Sequence, residues 1–285
     1  MNTSREVPIV ELKHVTKRFG DTVAVDSLDL SLPPGTLFGF IGPNGAGKTT
    51  TIKLITGLLQ PTAGRVFVNG IDIRHEPERA KRLIGYVPDN PFLYDVLTGR
   101  EFLRFVGRLY RMDASLVERR IGELFELFQV GSWGDFRAEE YSHGMRQKIV
   151  ISAALLHQPK LIVIDEPMVG LDPKSIRLVK RILEYQSRMG TAIFMSTHTL
   201  AVAEEISSLV GIIDRGRVIA QGTVAELRRL SRERHRTLED LYLELTTSPE
   251  ESQREVERWL NMALPPLLRE MLRPESRNER VLLDQ

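Results

Sequence analysis

Gly42-Pro43-Asn44-Gly45-Ala46-Gly47-Lys48-Thr49-Thr50 (GPNGAGKTT, 42–50) fits the pattern G-x-x-x-x-G-K-[ST]. The pattern carries meaning only between a strand and a helix, and the sequence supplies both. LFGFI (37–41) reads as a short apolar strand, and the stretch from Lys48 to about Thr56 reads as a helix. Glycines in such a turn let backbone N–H groups converge on phosphate oxygens, and the helix N-terminus adds partial positive charge. Lys48 is then expected to reach the β- and γ-phosphates of a nucleotide, and the Thr49 hydroxyl to coordinate Mg²⁺.

A phosphate cradle of this kind needs an acidic partner at the end of a buried strand. LIVIDEP (161–167) provides it, 117 residues beyond Lys48 to the aspartate. Asp165 is expected to hold Mg²⁺, and Glu166 to orient and deprotonate the attacking water.

Around these two motifs the chain alternates strand and helix. IVELKHVTKRF and TVAVDSLDLSL read as strands with a Gly20-Asp21 turn, and RVFVNG (65–70) as an edge strand with an Asn-Gly turn. The middle changes character. Thr98 and Glu101 form a capping box ahead of GREFLRFVGRLY, and ASLVERRIGELFELF follows, so about 90–158 reads as a helical insertion. Beyond it, Pro173 stands at the first position of a helix opened by Asp172, followed by AIFMS (192–196), VGIID (210–214) and RVIAQG (217–222). This alternation predicts an α/β fold with a mainly parallel sheet covered by helices. After Thr223, capped by Glu226, the chain reads as a helical extension over 225–285. Its basic run RRLSRERHR (228–236) reads as a solvated helix face in preference to a lipid- or nucleic-acid-binding patch. Val256, Leu260 and Leu264 recur on one helical face with Trp259 alongside, read as packing on the chain's own domain, with dimer contact or regulation as the alternatives.

Composition narrows the class. The chain has 285 residues, a net charge of +1 and no cysteine, which removes disulfides and thiolate metal sites and gives no electrostatic case for nucleic acid as a partner. The N-terminal stretch lacks the basic and apolar regions of a signal peptide, and no apolar run approaches the ~20 residues that span a bilayer.

With these motifs in order, the chain resembles the nucleotide-binding subunits of ABC (ATP-binding cassette) transporters over about residues 7–224. Tyr141-Ser142-His143-Gly144-Met145-Arg146-Gln147 is similar to the family signature LSGGQ, Gly170-Leu171-Asp172 to its D-loop, and Ser196-Thr197-His198 to its switch histidine. Phe19 matches the aromatic residue that stacks on adenine. The resemblance implies a P-loop NTPase core with an N-terminal antiparallel β subdomain and a helical insertion. It implies ATP and Mg²⁺ as ligands, with Ser142 and Gly144 addressing the nucleotide of a second ATPase subunit in a head-to-tail homo- or heterodimer. It also implies a separate membrane permease as partner, docking on 90–112, and a peripheral place on the cytoplasmic face of the membrane. TLEDLYLELT (237–246) resembles an element of exporter-type (ABC-2) ATPases. The rival readings are a soluble ABC ATPase acting on ribosomes or DNA, and a regulator that holds ATP without turnover.

The sequence departs from the family pattern at three places. Asp89 stands where a glutamine binds Mg²⁺ and senses the permease. His143 replaces the first glycine of the signature, where a Cβ is costly if φ is positive. Met168-Val169 stand in place of small polar residues and are expected to make the dimer seam locally apolar.

Overall fold

The computed structural model describes residues 7–230 and 237–246. The chain divides into two units, one ending at Glu239 and one starting at Asp240. In the first unit the strands and helices run β1 (Val10–Phe19), β2 (Thr22–Leu32), β3 (Leu37–Ile41), α1 (Lys48–Ile55), β4 (Ala63–Val68), β5 (Ile71–Asp72), α2 (Pro77–Lys81) and β6 (Ile84–Val87). They continue with α3 (Gly99–Leu109), α4 (Ala114–Leu127), two 3₁₀ turns, α5 (His143–Leu156), β7 (Leu161–Asp165), α6 (Pro173–Arg188) and β8 (Ala192–Thr197). The unit closes with α7 (Leu200–Ile206), β9 (Leu209–Asp214), β10 (Arg217–Gly222) and α8 (Val224–Leu230). A last helix, α9 (Leu238–Thr246), lies across the division and contains the LEDLYLELT stretch. The helical face expected around Trp259, and positions 231–236 of the basic run, lie outside the described residues.

Two sheets result. An antiparallel sheet has the order β2-β1-β4-β5, and a six-stranded sheet the order β10-β9-β3-β8-β7-β6. In the second, only the β9–β10 hairpin is antiparallel; β9, β3, β8, β7 and β6 are parallel neighbours. The residues 65–70, expected at an edge, lie inside the sheet: β4 pairs with β1 on one side and β5 on the other. The Asn69-Gly70 turn does form, with both φ angles positive (50° and 76°), and it supplies the extra edge strand. β6, just ahead of the helical insertion, is an addition to the sequence reading.

Strand parity explains the apolar runs. In β7, Leu161 and Val163 enter one core while Ile162 and Ile164 enter another; in β8, Ala192 and Phe194 divide from Ile193 and Met195 in the same way. The sheet is therefore apolar on both faces, as parallel sheets covered by helices are. The first core holds α1, with Ile52, Leu54 and Ile55 wholly buried beside Phe38, Phe40 and Phe194. The second holds α3 to α6. The helices start where local chemistry dictates. Thr98 and Glu101 form the reciprocal capping box of α3, and Asp172 accepts from the N–H groups of Lys174 and Ser175, both at 3.0 Å, ahead of Pro173. The Thr223/Glu226 pair caps α8 in the same manner.

Where α5 ends, His157 stacks on Tyr110 with ring centroids 3.7 Å apart, and both side chains bond the Ile84 carbonyl at the head of β6. Burial pushes His157 down to about 4. Between that value and the ordinary histidine value of about 6.5 the unfolded chain binds more protons than the folded one. The stabilisation is therefore complete above pH 6.5 and is lost as the pH falls towards 4. His157→Phe keeps the stack and removes the titration. In urea denaturation the wild type should lose about 3 kcal/mol more than the variant on going from pH 7 to pH 4, and parallel losses would refute this assignment.

Candidate nucleotide-binding site

The P-loop links β3 to α1 and is folded by its glycines. Gly47 has φ 111°, and a Cβ there would stand 2.5 Å from the Ala24 carbonyl oxygen, so only glycine fits. The loop is tied to the β9–β10 turn, where Gly216 N–H donates to the Ala46 carbonyl (2.9 Å). No side chain caps α1, which leaves its first-turn N–H groups facing the loop. Gly42 and Pro43 do not line the cavity; their carbonyls accept from Lys48 Nζ at 2.7 and 3.1 Å. Burial pushes the Lys48 ammonium below the ordinary lysine range, while the Glu166 and Asp165 carboxylates act to hold it up. A buried cation with flexible reach, held for now by backbone carbonyls, is suited to an incoming polyphosphate.

β7 delivers Asp165 by parity, on the α1 face with Leu161 and Val163; Glu166, just past the strand, lines the same cavity. Parallel pairing sets Asp165 opposite Ser196, whose hydroxyl donates to Asp165 Oδ1, and Thr49 Oγ1 donates to Oδ2 at 3.0 Å. A carboxylate only 3% exposed is thus bonded on both oxygens. Tyr86, at the end of β6, is pushed up to about 12, first by burial and then by the Asp165 and Asp89 carboxylates.

Glu166 leaves the strand with φ 51°, an unfavourable conformation for a non-glycine residue that costs roughly 1–3 kcal/mol. Its carboxylate accepts from His198 N–H (2.9 Å) and Thr197 Oγ1 (3.2 Å), and meets His198 Nδ1 at 2.8 Å. The strain therefore buys a position: the acid at the end of one strand is clasped by the end of its neighbour.

A cavity of about 360 Å³ gathers Asn44, Gly45, Gly47, Lys48, Thr49, Thr50, Asp89, Asp165, Glu166 and His198, together with Ala24 and Val169. The sequence reading missed Ala24 and the hydroxyl supports of the two acids. The aligned register of β7 and β8 is the signal that pairs Ser196 with Asp165. Thr49, Asp165 and Asp89 bring a hydroxyl and two carboxylates to the same cavity, a donor set that suits Mg²⁺ completed by phosphate oxygens. Among the described residues no group of three or more His, Cys, Asp or Glu is arranged to hold a metal alone.

Several residues lie away from this cavity. Ala46 is buried, and Phe19 ends β1 half-exposed with the Lys17 ammonium 5.1 Å from its ring centre. Ser142 caps α5, accepting from Met145 N–H (3.3 Å), and Gly144 sits in the first turn of that helix. His143 is the first helical residue and has no positive φ, so the strain considered for it does not arise. Met168 packs on the core while Val169 is exposed, so only one of that pair offers apolar surface.

A parallel α/β sheet with a phosphate cradle, a strand-end aspartate on the helix threonine and a glutamate one residue on defines a P-loop nucleotide hydrolase. The chain belongs to the ABC transporter family, whose profile matches residues 25–169. It is 36% identical over 264 residues to the daunorubicin/doxorubicin resistance ATP-binding protein DrrA of Streptomyces peucetius, a match spanning 93% of this chain and 78% of that protein. A solved ATP-binding subunit of an ABC transporter superposes with a TM-score of 0.80 at 35% identity, over 83% of this chain and 99% of that one. A dimeric ATP-binding cassette in a post-hydrolysis state, bound to ADP and Pi, superposes with a TM-score of 0.69 at 25% identity, over 75% and 98%. The chain is accordingly an ATPase of the ABC class.

Removing the Ser196 hydroxyl tests the strand-end arrangement. A hydrogen bond to a charged group contributes about 1.5–3 kcal/mol. Ser196→Ala should therefore weaken ATP binding about tenfold or more in Mg²⁺ and leave binding in EDTA nearly unchanged, as read by nucleotide titration. Equal losses in both buffers would show that Ser196 does not act through Asp165.

Proposed function

We propose that this ATPase powers a separate membrane permease, as one half of a head-to-tail pair, in an exporter. The observation that carries the reading is the division of labour at the end of β7. Asp165 is bonded to Thr49 of the P-loop helix, and Glu166, one residue on, is held at the mouth of the same cavity by His198.

ATP would lie with its phosphates along the N–H groups of Gly45, Gly47, Lys48, Thr49 and Thr50, which line the cavity, and its adenine on Phe19. Mg²⁺, which Thr49, Asp165 and Asp89 would hold, would supply neutralisation of phosphate charge. Lys48 turns from its carbonyls to the phosphates. Glu166 takes a proton from the attacking water as its oxygen bonds the γ-phosphorus and the β–γ bridge bond breaks; His198 holds the γ-phosphate and the water in line. Ser142 and Gly144 lie outside the cavity of their own subunit, which supports their use on the nucleotide of a second subunit, identical or different. The domain reading is an ATPase domain over 7–224 with its helical insertion at about 90–158; of the C-terminal extension assigned to 225–285, residues 225–230 and 237–246 are described.

Docking to the permease is assigned to the surface after Asp89. Phe92, Tyr94, Val96 and Leu109 are all exposed there, and Tyr94 meets Phe92 and Phe105 edge-on at 5.5 and 5.7 Å. A patch of aromatic side chains held in place by one another marks an interaction surface. No helix among the described residues is long and apolar enough to cross a membrane, so attachment is assigned to a partner chain on the cytoplasmic face. The drug-resistance relative and the α9 stretch both support export.

Glu166→Gln should lower phosphate release by a factor of about 10²–10⁴ while ATP still binds and drives dimer formation in size-exclusion chromatography. Turnover equal to the wild type would remove Glu166 from its role. Phe92→Glu with Leu109→Glu should leave turnover of the isolated subunit intact and abolish its recovery with membranes that contain the permease; unchanged recovery would move the docking surface elsewhere.

A further inference from the structure

Gly170 follows Glu166 by four residues, in the loop that joins β7 to α6. Its φ is 75°, and the space a Cβ would occupy is already filled: His143 Cδ2 lies 2.0 Å from that point and Nε2 2.7 Å. The imidazole of the signature helix is thus seated on the α-carbon of the D-loop of the same chain. Gly144 continues the contact, since a Cβ there would lie 3.1 Å from the Gly170 carbonyl oxygen. The loop itself is held weakly by its own backbone, with Val169 N–H to Glu166 carbonyl and Leu171 N–H to Met168 carbonyl both at 3.4 Å. Glu166 at its start is tied to the end of β8, so packing from outside must fix the rest of the loop, through which strain can reach Glu166.

We propose that His143 is a positioning residue for hydrolysis in its own subunit, its ring acting as the seat of the loop 166–171 and hence of Glu166. The family glycine at this position has no ring to offer, so the departure from the signature adds a mechanical link. α5 presents Ser142 towards another subunit's nucleotide, and the same helix, through His143, bears on the loop that carries this subunit's Glu166. Gln147 lies one turn further along α5, buried to 1% exposure, with neither its Nε2 nor its Oε1 bonded to a protein group among the described residues. A buried amide without a partner raises the free energy of this placement of α5 and favours a second one. Displacement of α5 on closure would carry the His143 ring, and the loop, with it.

The inference rests on Glu166 as the residue that activates water, and the test separates the two. In the full-length chain, His143→Gly should lower kcat about ten- to a hundredfold with KM for ATP unchanged. His143→Phe, which restores a flat ring without its nitrogens, should recover most of that loss. Gly170→Ala forces a Cβ into the ring in the wild type but not in the His143→Gly background, so its effects on kcat and on the thermal unfolding midpoint should both be smaller in that background. A wild-type kcat in His143→Gly, a His143→Phe variant as impaired as His143→Gly, or strict additivity in the cycle each overturns the proposal. If Glu166→Gln turns over like the wild type, the premise about Glu166 fails instead, and the stability cycle still reads the contact between His143 and Gly170.

Discussion

The structure of this ATPase turns on one buried carboxylate. Asp165 receives Thr49 from the P-loop helix and Ser196 from the neighbouring strand, and so joins α1, β7 and β8 at a single point. Burying a charge this deeply is unfavourable unless its oxygens are bonded. Here the two bonding hydroxyls come from parts of the chain distant from Asp165 and from each other. The sheet register, the helix start and the glycine turn must all be correct before the carboxylate is satisfied, which makes Asp165 a checkpoint for the whole nucleotide-binding core.

That arrangement also separates two acids of adjacent number. Asp165, the last residue of β7, meets the phosphate cradle, while Glu166, just past the strand, turns towards Thr197 and His198. The positive φ of Glu166 lets the chain leave the strand sharply enough for its carboxylate to reach the end of β8. In this arrangement Lys48 rests on the Gly42 and Pro43 carbonyls and Glu166 on His198. Both groups that chemistry requires are therefore already held at the cavity by hydrogen-bond partners.

Local signals were legible in the sequence and long-range ones were not. The P-loop, the buried run before Asp165 and the caps at Thr98, Asp172 and Thr223 depend on residues close in sequence, and each was readable from residue type and spacing. The place of β4 inside its sheet depends on pairing with β1, some fifty residues distant, and its composition carries no mark of that. β6 is only four residues long and interrupted by Gly85, so neither length nor alternation announces it. His143 read as a cost because the signature alone suggests a glycine conformation. The helix begins one residue earlier than that reading needs, and the ring finds its place on a loop 27 residues away. The supports of the acids were hidden for the same reason: Ser196 and Thr197 matter only once β8 lies beside β7.

The most direct test is a structure of the wild-type chain with Mg²⁺ and a non-hydrolysable ATP analogue. The account predicts that the Thr49 hydroxyl leaves Asp165 for the metal, that Asp165 keeps its bond to Ser196, that Lys48 leaves its carbonyls, and that His198 turns from Glu166 to the γ-phosphate. A bound nucleotide with Thr49 still on Asp165 and His198 still on Glu166 would contradict it.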